Sequence, residues 1–192
     1  TTFQFNDATY QDGIRLGLLD YQAYGGSAGF LYKPSERDDI QLSATYNNFR
    51  TATAPIGLQA NYPGAMLSIT HAFTEGLRAN AYGGPRFVSS TTQFGGLSQN
   101  TSDTIWVYGV SVNQRFERAT LQMSLTRDIF PSGFGLLIKT DRLGAAASYD
   151  LTETITASLD AAGYTVTGVT NQASGGALKE QRLFYLTPKL SW

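Results

Sequence analysis

The chain has no cysteine among its 192 residues. A disulfide framework and a thiolate metal site are therefore excluded. Charge is also scarce, because Asp, Glu, Lys and Arg make up 15% of the residues, against roughly 25% in soluble domains. The net charge is −1 with no basic block, which argues against a nucleic-acid partner. A sequence with so few charges either hides a large core or turns one face toward lipid.

Long apolar runs are missing as well, since none approaches the roughly 18 to 20 residues of a membrane-spanning helix. Helical periodicity is almost absent, and alternation with a period of two replaces it. The clearest case is 105–116, where Trp106, Tyr108 and Val110 alternate with smaller or polar residues. The short turn Glu117-Arg118 then leads into a second alternating stretch that starts at Ala119. This pattern predicts β-strands joined in hairpins.

The alternation predicts nine strands from Ser27 onward, and 1–24 has to supply at least one more, which we place within 13–22. We therefore expect about ten strands in a single domain, 1–192, with eight or twelve as alternatives because bacterial barrels use even numbers. Residues 1–12 are a tail, a plug or an extra strand. Short connections are predicted near 34–38, 75–76, 117–118 and 151–152. Except for the brief 128–133, the others are predicted to be longer loops, at 51–64, 90–103 and 168–179.

The chain ends inside an amphipathic strand whose apolar face includes Phe184, Leu186, Leu190 and Trp192. A final Phe or Trp closing such a strand resembles the C-terminal signature of bacterial outer-membrane β-barrels. The resemblance implies a transmembrane antiparallel up-and-down β-barrel with its C-terminus, like its short turns, on the periplasmic side. It also implies contact with outer-membrane lipid or lipopolysaccharide and recognition by the barrel-assembly machinery.

A soluble β-sandwich or lipocalin-like barrel is the alternative, with the apolar face turned inward. Two features favour the membrane. The polar face is built from Ser, Thr, Gln, Asn and Gly with little Lys or Glu, which suits a lumen. The aromatic residues also cluster toward strand ends, as the interfacial girdles of membrane barrels do.

The polar face is the candidate functional surface. The residues assigned to the lumen are Arg15, Arg78, Asn80, Asn113, Arg115, Gln122, Asp160 and Lys189. They form either a packed polar interior or a narrow channel whose arginines favour anions. The small residues Gly109, Gly144, Ala146 and Ser148 share this face and could leave space in the lumen. We therefore expect a passive, porin-like channel for small solutes or ions, without a cofactor or metal. The alternative is a non-conducting structural or anchoring barrel that binds another envelope protein.

Enzymatic activity is not expected. His71 is the single histidine, and we place it facing lipid near the short turn at 75–76. A lipid-modifying enzyme would need it beside a serine such as Ser27. Gly25-Gly26-Ser27-Ala28-Gly29 matches the nucleophile-elbow letters, but that motif requires a helix to follow. We interpret the segment as a Gly-rich bend or external turn.

A second, looser resemblance covers about 30 residues. Its elements are Arg127-Asp-Ile-Phe-Pro-Ser-Gly-Phe-Gly135, then Thr140-Asp-Arg-Leu143, then Ser148-Tyr-Asp-Leu-Thr-Glu153. This succession is similar to that of outer-membrane barrels found with exosortase and exopolysaccharide gene clusters. It implies a role in surface-polymer export or envelope organisation, with no catalytic residues to carry over.

Overall fold

The computed structural model describes residues 1–9, 11, 20–51, 56–94, 97–132, 137–169 and 180–192. Every regular element in them is a β-strand. No helix in this part of the chain is both long and apolar enough to cross a bilayer. The strands are β1 (Thr2–Ala8), β2 (Tyr21–Ser35), β3 (Asp38–Thr51), β4 (Ile56–Asn61), β5 (Gly64–Ala72), β6 (Leu77–Phe94), β7 (Leu97–Arg115), β8 (Ala119–Pro131), β9 (Leu137–Asp150), β10 (Thr156–Gly168) and β11 (Gln181–Ser191).

The strands form one antiparallel sheet in which neighbours in sequence are neighbours in space. β4 and β5 both lie between β3 and β6 and keep one register against each of them. They are therefore two parts of one strand, interrupted only at Tyr62-Pro63. Even there, the Tyr62 amide donates to the Asn47 carbonyl and the Phe87 amide to the Pro63 carbonyl. With β4 and β5 counted together, the sheet has ten strands, which confirms the all-β, up-and-down architecture with about ten strands.

The position of the tenth strand and the length of two connections differ from expectation. The additional strand is β1, which pairs with β2 along its length, so 1–12 contains the extra strand rather than a tail or plug. Most of the segment predicted at 13–22 lies outside the described residues, and Tyr21 already belongs to β2.

The segments 51–64 and 90–103 are largely strand rather than long loops. They prolong two hairpins, β3–β4 and β6–β7. Their Ser, Thr and Asn residues suggested loops because such residues are common in turns. Here they form the polar face of paired strands. The loop predicted at 168–179 lies almost wholly beyond the described residues.

The segment 25–29 lies inside β2 and pairs with β3 throughout, and its first three residues also pair with β1. The bend or external turn predicted there is wrong. A Cβ on Gly25 would meet the Asn47 side chain, and one on Gly29 would meet the Leu42 carbonyl. The glycines therefore allow close approach of β3 rather than a change of chain direction.

β1 and β11 are the two outermost strands, and each pairs on one side only within the described residues. The β10–β11 register runs without a shift through Leu159 and Pro188, so β11 has no bulge at this proline. An outermost strand tolerates proline wherever the lost N–H would have pointed away from its partner.

The sheet has two faces and two ends. The turn end carries the short connections at Glu36-Arg37, 73–76, Glu117-Arg118 and 151–154; the opposite end is called the far end below. The inner face is the face that carries Asn47, Phe49, Tyr82 and Arg86, and the outer face is the opposite one.

The outer face carries a band of exposed apolar side chains. Val110 is 47% exposed, Met123 52% and Leu143 61%, although aliphatic residues of a soluble fold are usually buried. Aromatic residues border the band, namely Tyr32, Phe73, Phe116, Tyr149 and Trp192 toward the turn end and Tyr24, Tyr46, Phe87 and Trp106 toward the far end. Trp106 and Phe116 lie about 34 Å apart along β7. A strand tilt of about 40° reduces this to ~26 Å, close to the apolar height of outer-membrane barrels.

Beyond this band the polarity of the two faces reverses. The outer face of the far end is polar, with Asn48 donating to the Asn61 side chain and Tyr46 donating to the same oxygen at 3.0 Å. The inner face becomes apolar there and contributes to a buried cluster of Phe49, Leu58, Ala60, Tyr62, Val88, Val107, Ile129, Leu137 and Val169. Near the turns, these strands thus carry their apolar side chains on the outer face, as a membrane barrel does. At the far end they carry them on the inner face, as a barrel in water does.

Candidate functional site on the inner face

The residues assigned to the lumen from the sequence share the inner face wherever the structure describes them, and most are exposed. They form two separate groups, one on β6, β7 and β8 and the other on β10 and β11. Arg15 falls outside the described residues. Asn113 pairs with Arg78 on β6 and with Gln122 on β8. Asp160 pairs with Thr187 on β11, the strand that also carries Lys189. Their role as the lining of a pore stays a prediction.

Arg78 and Asn80 have partners near the turn end. The Arg78 guanidinium lies 4.0 Å from Asp39, and Lys33 contacts the same carboxylate at 3.1 Å. The Asn80 amide donates to Thr70 at 2.8 Å and to Ser68 at 3.1 Å. This end of the inner face is therefore a hydrogen-bonded polar surface.

The inward glycines do not leave the space expected of them. Tyr82 on β6 pairs with Gly109 on β7, and its ring lies where a Cβ on Gly109 would stand. The Ser124 hydroxyl lies 3.1 Å from the Cβ position of Gly144, with the Arg142 guanidinium 3.6 Å away. These glycines accommodate larger neighbours on adjacent strands.

The hollow part of the inner face centres on Arg86 and Asp128, which sequence reasoning missed. Arg86 lines three cavities, of about 420, 240 and 180 Å³, and Asp128 lines the first two. The largest also has Gln4, Asn47 and Tyr62 in its wall. The signal for Arg86 was the alternation along β6, which places it on the same face as Tyr82 and Val88. Asp128 was placed in a connection, whereas it lies in β8.

Arg127 on β8 pairs with Asp141 on β9, and their neighbours Asp128 and Arg142 pair with Thr140 and Thr126. On the outer face Arg127 donates two hydrogen bonds to Asp141, at 2.5 and 3.0 Å, and lies over the Tyr108 ring at 5.2 Å. On the inner face Arg142 lies 5.6 Å from the Tyr164 ring centroid. The segments that carry the looser family resemblance thus form a structural pairing at the far-end border of the apolar band.

His71 and Ser27 lie on opposite faces. His71 is on the outer face and contacts Asp38 at 2.6 Å, whereas Ser27 is on the inner face and pairs with Thr45. They therefore do not form the serine–histidine arrangement that a lipid-modifying enzyme needs.

Asp38 lies beside the Glu36-Arg37 turn, on the turn side of the aromatic border at Tyr32 and outside the apolar band. Hydrogen bonds from Ser35 and then from His71 lower the pKa of the Asp38 carboxyl below its usual value. The contact between His71 and Asp38 thus joins the ends of β3 and β5 at the turn end of the sheet.

No group of three or more potential metal ligands stands together in the described ranges.

The continuous up-and-down sheet, the exposed apolar band with its aromatic borders and the polar inner face beside it define the fold of an outer-membrane β-barrel. No family model and no curated protein sequence matches the chain. Among solved structures, the chain is similar to the copper transporter OprC, an outer-membrane barrel, with a TM-score of 0.54 and 8% identity. The match covers 90% of this chain but 34% of OprC, so the chain spans about a third of that structure's length.

Proposed function

We propose that the chain forms a wall of an outer-membrane β-barrel through which small polar solutes or ions cross passively. The observation that carries the proposal is the hollow inner face, where three cavities meet at Arg86 beside the apolar outer band. The transport role of the similar barrel, OprC, agrees with this assignment at the level of fold. In this arrangement the short turns and Trp192 face the periplasm, and the apolar band contacts lipid and lipopolysaccharide.

Passage along the inner face would be governed by its polar groups. Ser, Thr, Asn and Gln side chains of the middle of the sheet replace part of the hydration of a passing solute, and Arg86 attracts its negative groups. The cluster around Phe49 narrows the far end, which restricts passage to small solutes.

The test is conductance of the full chain in planar lipid bilayers. Because the chain has no cysteine, Ser124→Cys introduces one thiol on the inner face of β8, and Leu125→Cys introduces one on the outer face. A bulky, water-soluble thiol reagent should reduce the conductance of Ser124→Cys and leave that of Leu125→Cys unchanged. Folded, inserted protein that never conducts would overturn the channel.

A non-conducting barrel that anchors or binds an envelope partner is the second candidate. It is favoured by the buried far-end cluster, in which Phe49 is fully buried and Leu58 is 3% exposed, because a packed core can close a lumen. A role in surface-polymer export, implied by the Arg127–Glu153 resemblance, fits either candidate. Bilayers that show no conductance, although they demonstrably contain inserted protein, would favour this second function.

A further inference from the structure

Arg86 occupies a position shaped for a guanidinium. It lies on the inner face of β6, opposite Gly64 on β5 and Ile105 on β7. A Cβ on Gly64 would stand 2.6 Å from the Arg86 Cδ atom. The absence of a side chain at Gly64 therefore lets the arginine lie across the neighbouring strand toward the cavities.

This guanidinium has an unused donor. Its Nη1 atom is buried and makes no hydrogen bond within the described residues. No ion pair of this part of the chain includes Arg86 either. A buried donor on a charged group is unfavourable without an acceptor. An acceptor from solution would remove that penalty, and a carboxylate is one of the anions that a guanidinium binds through two parallel hydrogen bonds.

Asp128 supplies the opposite charge at the same cavities. It interacts electrostatically with Arg86, but the two do not form one of the ion pairs of the described chain. The Ile129 amide donates to its Oδ1 atom at 2.8 Å, which fixes the carboxylate on β8. A cation and an anion thus line the same two cavities without closing on each other.

The combined charge of this pair selects against simple ions. A bare anion on Arg86 would be repelled by Asp128, and a bare cation on Asp128 would be repelled by Arg86. A solute with both charges satisfies both groups, and polar side chains such as Asn47 and Gln4 can bind its remaining groups. A cavity of about 420 Å³ falls within the range of small-molecule sites.

We propose that Arg86 and Asp128 bind a small zwitterion of the α-amino-acid type, with its carboxylate on Arg86 and its ammonium on Asp128. The inference builds on the proposed function because it names the solute class that the inner face favours.

The test is calorimetric titration of the full chain in detergent micelles with L-alanine. Two probes of similar size, propionate and ethylammonium, each carry one of its two charges. L-alanine should bind and the two half-probes should bind at least about tenfold more weakly. Arg86→Gln and Asp128→Asn should each weaken L-alanine binding by a similar factor, and Arg86→Lys should retain part of it. Arg50→Gln and Glu117→Gln, at exposed positions elsewhere, should leave it unchanged.

The outcomes separate this inference from the channel. Propionate binding as tightly as L-alanine would overturn the zwitterion, because Asp128 would then contribute nothing. Absence of any binding in a protein that conducts would overturn the site and leave the channel intact. If L-alanine binds with the expected variant pattern but the protein never conducts, the result would support the binding site and contradict the channel function. Far-ultraviolet circular dichroism confirms that each variant is folded.

Discussion

The Tyr82 ring lies over Gly109, its directly paired neighbour on the adjacent strand, and occupies the place of a Cβ there. The pair fills the middle of the inner face with an aromatic ring rather than an opening. A glycine under an aromatic neighbour is a common way for a sheet to place a large side chain flat against its own surface.

Gly109→Ala should destabilise the sheet because the new methyl group overlaps the Tyr82 ring. We expect a loss of about 1–3 kcal/mol, typical of overpacking. Gly163→Ala is the matched control, because a Cβ at Gly163 meets nothing within 4 Å. Urea unfolding in detergent, followed by circular dichroism, measures both. Equal stability of the two variants would show that Tyr82 does not need the space above Gly109.

Phe49→Ala should remove the largest contribution to the far-end cluster. Phe49 is fully buried, and truncation of a buried phenylalanine costs about 3–5 kcal/mol. Phe87→Ala is the control because Phe87 is 52% exposed on the outer face and should change stability in detergent by less than about 1 kcal/mol. The comparison uses midpoints of urea denaturation. A larger effect at Phe87 would contradict the reversal of face polarity.

The apolar band should contact lipid on one face only. In a Trp106→Phe/Trp192→Phe background, Val112→Trp puts the single tryptophan on the outer face and Asn113→Trp puts it on the inner face. Brominated lipids should quench the fluorescence of the first strongly and of the second weakly, since bromine quenches by contact within the hydrocarbon. Equal quenching at both positions would mean that the sheet does not separate lipid from a lumen.

The ion pair between Arg127 and Asp141 on the outer face should contribute to the stability of the folded chain. Arg127→Gln removes a two-point ion pair whose side chains are 31% and 29% exposed, and we expect a loss of about 1–2 kcal/mol. Replacing both partners, Arg127→Gln with Asp141→Asn, should recover part of that loss because no unpaired carboxylate remains. A double-mutant cycle from thermal unfolding measures the coupling, and additive effects would argue against it.

Acid should weaken the contact between Asp38 and His71 at the turn end of the sheet. Because hydrogen bonds from Ser35 and His71 lower the pKa of Asp38 in the folded chain, the ionised carboxyl stabilises the fold above its unfolded pKa. This contribution is lost as the pH falls below about 4. A difference in melting temperature between the parent and Asp38→Asn should therefore be present above this pH and shrink below it. A difference that persists at pH 2 would assign the stabilisation to packing.

Alternation in the sequence predicted the hairpins, the strand number and the apolar outer face, because these depend on neighbours within one strand. Segments 51–64 and 90–103 were interpreted as loops because their polar residues resemble turn residues, whereas pairing with β3 and β6 makes them strands. Arg86 and Asp128 were missed for a different reason. Their proximity results from the curvature and register of several strands, which no local pattern contains.

The reversal of polarity along β3, β4, β6 and β7 has a consequence for how the protein enters a membrane. In the proposed orientation, with the turn end at the periplasm, Asn48, Asn61 and Ser89 would have to pass through hydrocarbon before they reach water on the other side, so their transfer would oppose insertion. Once across, Phe49, Leu58 and Val88 can pack against one another, and withdrawal of the hairpins would then require this core to be broken. The far-end cluster would therefore form slowly during assembly. Once formed, it would oppose withdrawal of the hairpins from the membrane.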